Sequence, residues 1–186
     1  MDYKMTIFNE QLVKVKQTVI NIISLIFLYV AAIGIVITAF LFLFGTEYSM
    51  FLALIVVGVI IGLWYLTRFY SIEYEYSLTN GCLDIDKIYA RSTRKQYITL
   101  NMKTLEEMAL ITTAGAKEKV YAIPRGKVYN CSSNANPYGT YYAIFNTKKQ
   151  GKICLLFEPN DKMMEGIRLF ARGKIKEDKI HISEGK

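Results

Sequence analysis

Glu73, Glu75, Asp84 and Asp86 fall within fourteen positions of one another in the stretch EYEYSLTNGCLDIDKIYARSTRK, which then turns abruptly basic at Arg91, Arg94 and Lys95. Carboxylates gathered on one surface are hard oxygen ligands, so the first chemistry to consider is a divalent cation held by Asp84, Asp86 and Glu75. The basic run suggests the opposite task, contact with anionic headgroups or an acidic partner. Little else in the chain carries reactive chemistry. The single histidine, His181, sits in a polar tail, which removes most His-dependent triads and zinc sites. Cys82, Cys131 and Cys154 are odd in number and widely spaced, which suits free thiols and no paired-Cys metal site. No P-loop, dinucleotide fingerprint, nucleophile elbow or metalloprotease motif occurs, and no cofactor is expected.

The elements that must position the acids are readable. Ile72, Tyr74, Tyr76 and Leu78 alternate with Glu73, Glu75 and Ser77, the period of a half-buried strand. Asn80-Gly81 supplies two residues suited to positive φ in a type I′ hairpin turn. That turn pairs Leu78 with Leu83, Tyr76 with Ile85 and Glu75 with Asp86, matching apolar partners and turning the acids to solvent. Glu75 directly opposite Asp86 is destabilising unless a cation lies nearby. A metal is one answer. The favoured one is a following strand that sets Lys95, with Arg94, against the acids, its Gln96, Ile98 and Leu100 facing inward and Tyr97 and Thr99 outward.

Two uncharged runs dominate the first part of the chain, residues 19–44 and 48–67, separated only by the turn 45–47. A bilayer core of about 30 Å needs about 20 helical residues, so both are expected to span as an antiparallel hairpin. Lys4, Lys14 and Lys16 precede the pair and Arg68 closes it, which predicts a cell-membrane protein with both termini cytoplasmic. The net charge of +7 arises from 23 basic and 16 acidic residues, and three of each precede Arg68, so the excess lies in the part that follows. Gly58 and Gly62 make a G-x-x-x-G step; with Gly34 and Thr38 it is expected to pack the two spans together, a homodimer being the second use. Neither span contains an ionisable residue, which argues against a proton or ion pathway.

The sequence then divides into a cytoplasmic segment 1–18, the spans, a domain over 68–175 and a polar tail 176–186. Further strands are expected at 96–100, 107–112, 119–123, 127–131, 141–146 and 152–157, with an amphipathic helix capped by Asn160 or Asp161 and stopped by Gly173. About seven antiparallel strands and one C-terminal helix is the order of a pleckstrin-homology-like (PH-like) barrel plugged by its helix. The stretch YEYSLTNGCLDIDKI, followed by RSTRK, resembles uncharacterised bacterial membrane proteins of the Gram-positive two-span type that carry a PH-like domain directly after the spans. The resemblance implies a membrane α-helical hairpin plus a mainly-β cytoplasmic domain, acting as a tethered scaffold with no known enzyme activity. Asp84-Ile85-Asp86 resembles the acid-any-acid motif of some glycosyltransferases, but no nucleotide-binding α/β domain accompanies it. The short loop TNG lacks the basic residues that eukaryotic PH domains place around the first hairpin to bind phosphoinositides.

A non-enzymatic membrane-anchored interaction protein is the reading these features favour. Its domain binds a protein or peptide partner or the anionic inner leaflet, through Arg68, Arg91, Arg94 and Lys95. A small metal-dependent enzyme using Asp84 and Asp86 is the alternative, and a two-span pore the third. Fourteen tyrosines among basic residues are better explained by sheet packing than by nucleic acid, so no nucleic-acid partner is expected.

Overall fold

The computed structural model describes residues 8–176 apart from residue 136; the expected tail beyond Lys176, with His181, falls outside that range. The chain divides into two compact units. One comprises Gln17–Ile72 with the turn Tyr89–Thr93, and the other carries the two β-sheets and the shorter helices.

In the first unit, α1 (Val19–Leu43) and α2 (Met50–Thr67) have mean hydropathies of 2.7 and 2.5 and are long and apolar enough to cross a membrane. Leu25, Leu28 and Ala32 of α1 follow one another at helical spacing and are among the less exposed positions, as are Ile55, Val59 and Leu63 of α2. A Cβ built on Gly34, Gly58 or Gly62 would meet nothing within 4 Å. These glycines therefore do not bring the two helices together, contrary to the expectation from the G-x-x-x-G step. The small residue that is buried in α1 is Ala32. Thr38 serves its own helix, its hydroxyl donating to the Gly34 carbonyl at 2.8 Å.

In the second unit, β1 (Phe8–Lys14), β2 (Ile72–Thr79), β3 (Cys82–Tyr89) and β4 (Thr93–Asn101) form one sheet in that order. The other holds β5 (Leu105–Leu110), β6 (Val128–Asn130), β7 (Tyr141–Thr147), β8 (Gly151–Phe157) and β9 (Ile175–Lys176), ordered β6-β8-β7-β5-β9. The expected barrel of about seven antiparallel strands is thus replaced by a four-stranded and a five-stranded sheet, with β6–β8 and β5–β9 parallel.

Three features account for the difference. β1, from the segment before α1, pairs antiparallel with β2, so the residues flanking the helical hairpin meet in one sheet. Its half-buried Asn9 and Gln11 are polar: they donate to the carbonyls of Lys162 and Glu158 at 3.0 and 2.7 Å, and the Asn160 N–H donates back to Gln11. The expected strand at 119–123 is instead the helix α3 (Ala116–Tyr121). Ala116, Val120 and Ile123 are spaced by four and three, a helical period, and they pack on Ala109, Tyr142, Ile144 and Cys154. β9 follows the last helix and adds to β5 beyond the anticipated strands.

The hairpin at the centre of the first sheet follows the sequence closely. Asn80 and Gly81 have φ of 50° and 82°, the positive pair a type I′ turn requires. Tyr76, Leu78, Leu83 and Ile85 project into the core with Leu100, Met108, Phe145 and Phe157. The Tyr76 hydroxyl donates to the Cys131 carbonyl at 2.6 Å and accepts from the Glu158 N–H at 3.4 Å, fastening β2 to the ends of β6 and β8. Helix α4 (Asp161–Phe170) begins on Asn160, whose side chain accepts from the Met163 N–H at 2.8 Å. It buries Met163, Met164 and Ile167, while Leu169 is exposed.

Candidate interaction site

The four acids do not share one environment. Glu75, expected on the solvent face, is buried with its side chain only 11% exposed, because β1 runs alongside β2 and sets Leu12 opposite it. Arg94 Nη2 lies 2.5 Å from Glu75 Oε2, and Arg94 Nε lies 3.9 Å from Asp86 Oδ2. The Glu75 oxygen has no aligned donor, so this contact is an ion pair without hydrogen-bond geometry. Asp84 takes a hydroxyl hydrogen bond from Thr99 at 2.5 Å, and Gln96 donates to Thr99 in turn. Glu73 lies opposite Lys14 of β1. Among the described residues, no three His, Cys, Asp or Glu side chains gather in a way that could hold a metal ion. The repulsion between Glu75 and Asp86 is answered from within the protein, by Arg94 rather than by the exposed Lys95. Tyr97, expected to face outward, is exposed, and its ring packs beside those of Tyr74 and Tyr129 with centroids at 5.9 and 5.5 Å, whereas Gln96, expected inward, is exposed as well.

The basic residues separate into two groups. Arg94 and Lys95 belong to the sheet unit, whereas Arg68 and Arg91 lie in the helical unit with the β3–β4 turn. There Arg68 stacks over the Trp64 ring at 4.7 Å and donates from Nη2 to Ser92 Oγ at 2.8 Å. The turn is pinned to the chain leaving α2 by the Ala90 N–H, which donates to the Ser71 carbonyl at 2.9 Å. A cavity of about 240 Å³ opens between them, lined by Tyr65, Arg68, Tyr89, Ala90, Ser92 and Thr93. Ala90 and Arg91 have φ of 51° and 57°, and the Ser92 N–H donates to the Tyr89 carbonyl at 3.1 Å. This is a second primed turn, built without the glycine or asparagine that usually supplies positive φ, so it carries backbone strain.

Sequence reasoning overlooked Trp64, Tyr65 and Tyr89. The readable signal was the aromatic pair Trp64-Tyr65 near the end of an apolar run that closes on Arg68 three residues later, the composition of a membrane–water boundary.

Elsewhere, Glu107 collects Lys119, Lys176 at 3.2 Å and the Tyr142 hydroxyl at 2.6 Å. Burial pushes its pKa up, but these partners more than reverse that and hold it at about 2. Burial pushes the Cys131 and Cys154 thiols up to about 12, which makes them small core residues rather than nucleophiles.

The family model for a bacterial PH-like domain (DUF6106) matches residues 5–177, and the chain belongs to that family. No curated protein and no solved structure matches it.

Proposed function

We propose that this protein is a non-enzymatic, membrane-anchored interaction module. Its two helices span the cell membrane, both flanking segments lie on the cytoplasmic side, and the Tyr89–Thr93 turn, with Arg91 and the neighbouring Arg68, bears on the anionic headgroups of the inner leaflet. The observation that carries the reading is the packing of that turn, within the helical unit, against the Arg68 end of α2. Trp64, Tyr65 and Tyr89 are the amphipathic rings favoured at a headgroup boundary, and each basic residue held near an anionic surface contributes about 1 kcal/mol. The helices favour lipid for a second reason: large apolar side chains such as Phe27, Phe42 and Leu54 are mostly exposed, which water penalises and hydrocarbon does not. The PH-like domain fits a non-catalytic interaction module, and the acids that suggested metal chemistry are engaged by Arg94 and Thr99.

Thiol labelling in intact cells tests the anchoring. With Glu47→Cys in the turn between the helices, a membrane-impermeant maleimide should label the new cysteine from outside and should reach Cys82 only after lysis. Labelling of Cys82 in intact cells, or recovery of the chain in the soluble fraction, would refute the proposal.

A further inference from the structure

The two sheets stay open along one side. β4 is the edge of the first sheet and β6 the edge of the second, and between them lies a cleft of about 440 Å³. Five consecutive residues of β4, Gln96 to Leu100, line it. Successive strand residues point to opposite faces, so a cleft touching five in a row follows the strand's backbone edge rather than one face. Across from β4 stand Tyr129 of β6 and the β7–β8 turn, Thr147 to Gln150. The edge-to-face contact of Tyr97 with Tyr129, at 76°, joins the two sides within the cleft.

Its charge has one sign. Among the described residues, Lys148 and Lys149 line the cleft and no carboxylate does. The lysine turn is braced: Thr147 Oγ1 donates to the Gly151 carbonyl at 3.1 Å, and Lys127 Nζ donates to the Gln150 carbonyl at 2.6 Å. An exposed sheet edge is a template for another extended chain, and five residues of strand offer about 16 Å of it.

We propose that this cleft receives an extended, acidic peptide segment of a partner protein, which adds to β4 as a fifth strand of the first sheet with its carboxylates toward Lys148 and Lys149. Main-chain pairing supplies affinity, and the lysines select for acid. The inference rests on the reading of the chain as an interaction module and names the partner's chemistry.

The test uses the full-length protein in nanodiscs of neutral phosphatidylcholine, which removes the leaflet's contribution. The probe is a fluorescent alternating valine–glutamate octapeptide. Expected are saturable binding, slowed hydrogen exchange at Gln96 to Leu100, and affinity lowered about tenfold or more by Lys148→Glu with Lys149→Glu. A valine–lysine octapeptide, and a valine–glutamate octapeptide N-methylated at alternate residues, should both bind far more weakly. The proposal is overturned by absence of binding, by binding that leaves exchange in 96–100 unchanged, or by equal binding of either control. Displacement of the peptide by an oligonucleotide or by anionic vesicles more readily than by unlabelled peptide would assign the cleft to those partners instead. Loss of peptide binding alongside intact anionic-lipid preference would sink this inference and leave the membrane reading standing.

Discussion

Arg94 and Glu75 form an unequal pair: the guanidinium is 58% exposed while the carboxylate it meets at 2.5 Å is 11% exposed. The acid bears the burial, so removing the cation leaves a desolvated charge, whereas removing both leaves little to compensate. Arg94→Ala should therefore destabilise the protein by about 1–3 kcal/mol, less than a fully buried pair because the arginine stands largely in water. Adding Glu75→Gln should recover much of that loss. Thermal unfolding of the full-length protein in micelles, read as a double-mutant cycle, checks this; additive losses would show that the pair is not coupled.

Gly81 is required twice over. Its φ is +82°, and a Cβ there would stand 2.8 Å from Phe170 Cδ1, on the helix that closes the core. Gly81→Ala should cost about 1–3 kcal/mol from backbone strain and displacement of the Phe170 ring together. Faster amide exchange along α4 than in the parent protein is the accompanying signature; an unchanged melting temperature would contradict it.

The Ala90-Arg91 turn should respond in the opposite direction. Ala90→Asn with Arg91→Gly supplies residues that accept positive φ, and should stabilise the hairpin by about 1 kcal/mol. A higher melting temperature is the expected result, and a lower one would show that the native turn carries no backbone strain.

Glu107 governs acid stability. Its folded pKa of about 2 lies below the ordinary carboxylate value, so its ion pairs stabilise the fold above the unfolded pKa. That contribution fades as pH falls from about 4.3 toward 2, where the folded form also protonates. Glu107→Gln should lower stability by about 1 kcal/mol at pH 7 and by progressively less on acidification. Stability profiles of the two proteins that stay parallel down to pH 2 would contradict the assignment.

Much of this architecture is written locally. The period-two run before Asn80-Gly81, the apolar runs of α1 and α2, and the Asn160 cap all act through near neighbours, and each is readable without tertiary knowledge. β1 is not, because its inward residues Asn9 and Gln11 are chosen for hydrogen bonds to the approach and first turn of α4, far away in sequence. α3 was obscured by its brevity: one and a half turns present only Ala116 and Val120, with Ile123 just beyond the helix end. The burial of Glu75 depends on β1, so an acid that reads as exposed from the β2–β3 hairpin is enclosed once the sheet gains a strand from before the spans. The selection of Arg94 over Lys95 likewise depends on the path of β4, which sets the exposed Tyr97 ring beside Tyr74 and Tyr129.

The claim that the basic turn engages anionic lipid is tested most directly by native mass spectrometry of the full-length protein, released from micelles holding equal amounts of phosphatidylglycerol and phosphatidylcholine. The account predicts preferential retention of phosphatidylglycerol, reduced several-fold by Arg68→Gln with Arg91→Gln while the protein stays folded. Equal retention of the two lipids by the parent protein, or a preference that survives both substitutions, would contradict it.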